Sequence, residues 1–140
     1  MFRFFDCASP VFLSFCPNLI MWKIKKTLLE DAFEAANNFL PKEFMCFLGG
    51  DEKTQIIDEI VILPTYNGET FSSININTMP FDKTIVGSLH SHPNGFAGAS
   101  NADKKFFKRF KLNLILGVGI RKEIRFFDEN STDITVEILD

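Results

Sequence analysis

The sequence predicts an α/β domain built as a mixed β-sheet with a helix on each side. Three observations carry that expectation. Residues 24–40 hold apolar side chains at helical spacing. Several short runs rich in Ile, Val, Leu and Phe, each closed by Gly, Pro or Asn, read as strands. A strand-like run at 83–92 leads through a proline into a second helical segment at 101–111. The 140 residues suit one domain, 46% of them apolar and 24% charged, which is a globular balance. A net charge of −3 lacks the basic excess of a nucleic-acid binder. Cys7, Cys16 and Cys46 form an odd, sparse set with no C-x-x-C pair. They make neither a disulfide framework nor a thiolate zinc site, and they fit a reduced, cytoplasmic setting.

Residues 1–20, "MFRFFDCASPVFLSFCPNLI", are Phe-rich and aperiodic, with Pro10 and Pro17 breaking the apolar run. A membrane span needs roughly 20 apolar residues without such breaks, so no membrane association is expected. A secretory signal would need a basic start and an unbroken apolar stretch, and Arg3 is offset by Asp6. The character changes at Met21. We therefore expect residues 1–20 to be an N-terminal extension, non-native or disordered, and residues 21–140 to form the domain. The helical stripe runs through Ile24, Leu28, Ala32, Ala35 and Phe39, and Pro41 ends it. "EFMCFL", Glu43 to Leu48, reads as a buried strand closed by a Gly49-Gly50 turn. "TQIIDEIVIL" is a second strand, stopped by Pro64. "NGET" is turn chemistry, and "FSSININT" alternates as a strand does. "KTIVGSLHSH" is a strand; the helix after it shows Lys104, Lys105, Lys108, Arg109 and Lys111 on its polar face. "LNLILGVGI", "EIRFFD" and "ITVEIL" are closing strands.

Both histidines of the chain lie in "HSHPNGFAGASNAD", residues 90–103. Residues i and i+2 of a strand share a face, so His90 and His92 aim at one point. Pro93 stops the strand, Ser100 opens a helix, and Asp103 lies one turn further on. Two imidazoles and a carboxylate make a three-ligand site for one Zn²⁺, with the fourth tetrahedral position left to water; a structural zinc would fill all four with protein. Plainer readings exist for each residue. Either histidine alone is more often an ordinary packed side chain. Ser100 and Asp103 also make a helix N-cap without any metal.

The spacing H-x-H-P, then S-x-x-D, resembles the signature of the JAMM (MPN-plus) zinc metalloproteases, a resemblance covering Met21 to Asp140. It implies a cytidine-deaminase-like α/β fold, a mixed and curved β-sheet flanked by helices. It also implies a glutamate soon after the first helix, supplied here by Glu43 in "PKEFMCFLGG". Without the downstream motif Glu43 would be read as a surface carboxylate. Ala99 stands where many members carry proline, and segment 64–84 is too short for the long helix of larger members. The resemblance assigns His90, His92 and Asp103 to zinc, Glu43 to proton transfer and Ser100 to the oxyanion. The implied reaction is hydrolysis of a peptide or isopeptide bond, with a ubiquitin-like or sulfur-carrier protein as substrate, cleaved after Gly-Gly. The segment "NGETFSSININT" would take the substrate tail as an added strand, with Ser72, Ser73, Ile74 and Asn75 as candidate contacts.

Other metal enzymes fit less well. No H-E-x-x-H, no H-x-H-x-D-H and no P-C-x-x-C is present. Cys46 sits in an apolar strand and reads as packing rather than as a nucleophile. A small-molecule amide hydrolase of sulfur or cofactor metabolism would share every site residue. A non-catalytic MPN interaction module would not need the complete set. The sequence leaves the oligomeric state open.

Overall fold

The structure, a computed structural model, describes residues 21–62 and 82–140. Its elements follow in chain order: β1 (Lys23–Lys25), α1 (Lys26–Phe39), β2 (Met45–Asp51), β3 (Ile56–Val61), β4 (Ile85–His92), α2 (Asn101–Phe107), β5 (Leu112–Gly117), β6 (Glu123–Phe127) and β7 (Glu137–Leu139). The described strands form one sheet in the order β6-β5-β4-β2-β3-β1-β7. β4 runs parallel to β5, and β1 runs parallel to both β3 and β7; the other pairs are antiparallel. The sheet is therefore mixed, as expected, and a register shift between Gly49 and Gly50 bends β2 within it.

Alternation along the strands sorts the two faces. In β5, Leu112, Leu114 and Leu116 join the larger apolar cluster with Leu29, Ala32 and Ala36 of α1. Ile115, between them, joins Phe107 of α2 and Phe127 in a smaller cluster. Side chains one residue apart on a strand point to opposite faces, so α1 and α2 cover opposite sides of the sheet. α1 buries the stripe that its sequence carries, with Leu28, Phe33 and Ala35 packed at its margin.

Several expectations need correction. Residues 24–40 do not form one helix. Ile24 lies in β1 with no exposed surface, and the helix starts at Lys26. Trp22 and Ile24 are buried while Lys25 is exposed, which is strand periodicity. Gly49 and Gly50 are not a turn but sit inside β2. A Cβ on Gly50 would overlap the Ile56 carbonyl, so the close approach of β3 requires glycine there. The turn comes later, at residues 52–55, where Asp51 accepts from the N–H of Lys53 at 2.7 Å. Glu43 does not open β2 but lies two residues before it. The second helix ends at Phe107, four residues early, and the last strand covers only Glu137–Leu139. The proposed turn and strand at 67–78, with Ser72, Ser73, Ile74 and Asn75, lie outside the described residues.

Candidate metal centre

β4 is buried through most of its length and carries both histidines to its C-terminal end. In register His90 pairs with Ile115 and Ser88 with Asn113, so the histidine face of β4 is the face that α2 covers. α2 begins at Ser100 in a complete capping box. The Ser100 hydroxyl accepts from the Asp103 N–H at 3.1 Å, and Asp103 Oδ2 accepts from the Ser100 N–H at 2.7 Å. The cap reading of these two residues is therefore right, and it coexists with the metal reading, because the cap aims the Asp103 carboxylate at the histidines. His90 Nε2 lies 3.0 Å from Asp103 Oδ1, and His92 Nε2 lies 3.5 Å from Oδ2. The two Nε2 atoms are 3.2 Å apart.

These spacings test the site for zinc. Zn–N and Zn–O bonds of about 2.0–2.2 Å in a tetrahedron put neighbouring ligand atoms about 3.3–3.5 Å apart. The separations, measured to the nearer Asp103 oxygen for each imidazole, lie close to that range, and the ligand atoms all lie within 4.8 Å of one another. His92 Nδ1 lies 3.0 Å from the Phe96 carbonyl. A carbonyl only accepts, so Nδ1 carries the hydrogen and Nε2 presents its lone pair to the metal. The residues fit one Zn²⁺, held by His90, His92 and Asp103.

Electrostatics agree with an ionised acid among imidazoles. Burial alone would raise the Asp103 carboxyl, but hydrogen bonds from His90, His92 and Ser100 hold it well below the usual carboxylate range. For His92 the hydrogen bond to Asp103 is the largest influence and raises the imidazole; burial opposes it, while the charges of Asp103 and Glu43 add to the rise. Glu43 thus adds a negative charge to the surroundings of His92. Register explains why. Met45 pairs with His90, so two more steps back along β2 bring residue 43 alongside His92. Ser91, between the histidines but on the opposite face, fixes that approach: its N–H donates to the Phe44 carbonyl at 2.9 Å, and its hydroxyl accepts from the Phe44 N–H at 2.8 Å. The Ser100 hydroxyl keeps its own proton free to donate, and the residue is exposed.

Sequence reasoning missed the residues that hold this arrangement. Asn113 is fully buried in an otherwise apolar strand. Its Nδ2 donates to the carbonyls of Phe107 and Phe110, tying down the end of α2, and its Oδ1 accepts from the Ser88 hydroxyl at 2.6 Å. A lone asparagine inside "LNLILG" was the signal. Cys46 is buried, and burial pushes its thiol up to about 12, so it is packing, as expected. Two clefts among the described residues, of about 680 and 770 Å³, contain none of the ligand residues.

No family model matches the chain. A probable metalloprotease of Haloferax volcanii is 31% identical over 98 residues, which is 64% of this chain and 61% of that protein's length. A JAB1/MPN domain protein from Archaeoglobus fulgidus superposes with a TM-score of 0.65 at 25% identity, covering 84% of this chain and 99% of the other. A structure described as a metalloprotease-like zinc site in the proteasome and signalosome gives 0.63 at 22% identity, over 86% and 99%. The same curved mixed sheet with its two helices is common to these neighbours. The signature at residues 90–103, its folded geometry and these comparisons agree: the chain has the JAB1/MPN fold and is similar to JAMM metalloprotease-like domains over most of its length.

Proposed function

We propose that the chain is a zinc-dependent hydrolase that cleaves a peptide or isopeptide bond after the Gly-Gly tail of a ubiquitin-like or sulfur-carrier protein. The observation that carries this reading is the convergence of His90, His92 and Asp103 on one point, with residue 43 brought alongside His92 by the strand register. Zinc bound there would supply a Lewis acid that activates a water at neutral pH. The remaining work falls to side chains. Glu43 takes the proton from the attacking water and delivers it to the leaving nitrogen. Its exposed position leaves room for a substrate carbonyl. The Ser100 hydroxyl donates to the oxygen that gains charge, a role worth about 2.7–4 kcal/mol for one donor. The complete ligand set argues against a purely non-catalytic module.

An extended tail with small residues reaches a recessed metal most easily, which favours Gly-Gly before the scissile bond. Lys104, Lys105, Lys108 and Arg109 are all exposed, on α2 and the turn that follows it. That face would attract an acidic partner and act mainly on association rate, weakening with salt. The test uses otherwise identical fusions ending in Gly-Gly, Ala-Ala or Val-Val, incubated with zinc-loaded protein with and without chelator. Chelator-sensitive cleavage of the Gly-Gly fusion alone is expected. Equal cleavage of all three would remove the Gly-Gly preference. No cleavage of any would leave a small-molecule amide as the better substrate class.

A further inference from the structure

One peptide group next to the metal centre is held from both sides. The carbonyl of Phe96 accepts from His92 Nδ1 at 3.0 Å. The N–H of the same peptide unit, that of Ala97, donates to Glu123 Oε2 at 2.8 Å. Glu123 opens β6, where it pairs with Gly117 at the end of β5, and it is half-buried. Ala97 has no exposed surface, so this N–H has little access to water as an alternative partner. Arg125, the nearby cation, is engaged by both oxygens of Asp133 at 3.0 and 2.6 Å. Gly117 lets the loop come this close, since a Cβ there would overlap the Gly95 carbonyl.

We propose that Glu123 is a positioning residue for the metal ligand His92, acting through the Phe96–Ala97 peptide. A carboxylate on a peptide N–H polarises the group and makes its oxygen a better acceptor. A firmer acceptor on Nδ1–H fixes the ring's tautomer and orientation and raises the donor strength of Nε2. Carboxylates usually touch a metal-bound imidazole directly; here a backbone amide stands between the two.

The inference rests on the zinc reading of the site, and its test separates the two. Zinc dissociation constants are measured by competition with a chromophoric chelator for the wild type, Glu123→Ala, Glu123→Gln and Asp133→Ala. The last variant breaks the neighbouring Arg125 pair and leaves the peptide clamp alone. Glu123→Ala is expected to bind zinc about 10–100-fold more weakly, the range typical for lost support of a ligand. Glu123→Gln keeps an acceptor without the charge and is expected to fall between that variant and the wild type. Asp133→Ala is expected to match the wild type. Equal affinity of Glu123→Ala and wild type would overturn the proposal, as would equal losses in Glu123→Ala and Asp133→Ala. Should Glu123→Ala not fold, an unchanged affinity in Glu123→Gln would overturn it. A wild type that binds no zinc would refute the metal site itself.

Discussion

In the proposed mechanism Glu43 and the three ligand residues divide the chemistry between them, so their variants should fail differently. Glu43→Gln keeps shape but cannot take a proton. We expect it to hold zinc as the wild type does and to lose most hydrolysis, by at least about 100-fold; turnover near the wild-type rate would remove Glu43 as the base. The pH dependence follows from the two shifted groups. In metal-free protein His92 is raised above its ordinary value near 6.5. Its contribution to stability is therefore complete below about 6.5 and is lost as pH rises through its folded value. Asp103 is lowered, so its contribution is present above about 4 and is lost as pH falls through its folded value. Zinc needs the neutral imidazole and displaces that proton. The gain in melting temperature on adding zinc should therefore grow from pH 5 to pH 8, and a flat or falling gain would contradict the ligand assignment. His90, His92 and Asp103 were legible in the sequence because their relations are local, two residues along a strand and one turn of a helix. Glu43 was legible only by resemblance. Its approach depends on the Phe44–Ser91 clamp, which spans 47 residues and leaves no periodic trace.

At the scale of elements, α2 must be held in place for Asp103 to face the strand. Asn113 does much of that holding by closing the helix end. Asn113→Ala would leave the carbonyls of Phe107, Phe110 and Asp128 and the Ser88 hydroxyl without this partner in a buried site. We expect a loss of about 1–3 kcal/mol, read by denaturant unfolding, together with weaker zinc binding. Unchanged stability would mean that α2 is fixed by the Phe107–Phe127 stacking, at 5.2 Å, rather than by the asparagine. The same residue explains why the helix was overestimated. Lys108, Arg109 and Lys111 are good helix formers, but the Asn113 side chain takes carbonyls at the helix end and the chain turns into β5. β1 was missed for a different reason. Its three residues lie directly against α1, and Ile24 satisfies a period of 3.6 as well as a period of 2. Only the alternation of Trp22 and Ile24 with Lys23 and Lys25 marks the strand.

For the whole molecule, the sequence conveyed a mixed sheet between two helices, while the strand order was beyond its reach. The pairing of β7 with β1 at the far edge joins the last strand to the first described one, and only the tertiary fold specifies that. The metal site is likewise a property of the folded chain, since β4 and α2 supply its ligands together and the unfolded chain does not gather them. Zinc binding should accordingly stabilise the protein as a whole, by about 2.7 kcal/mol at a free concentration 100 times the dissociation constant. Removal of the metal by chelator should lower the melting temperature without abolishing the fold, because the α1 face of the sheet packs independently of the site. The most direct test of the account is the zinc content of purified protein, measured for the wild type and for the His90→Ala/His92→Ala double variant. One zinc per chain in the wild type and none in the variant is the predicted result; stoichiometric zinc retained by the variant would contradict it.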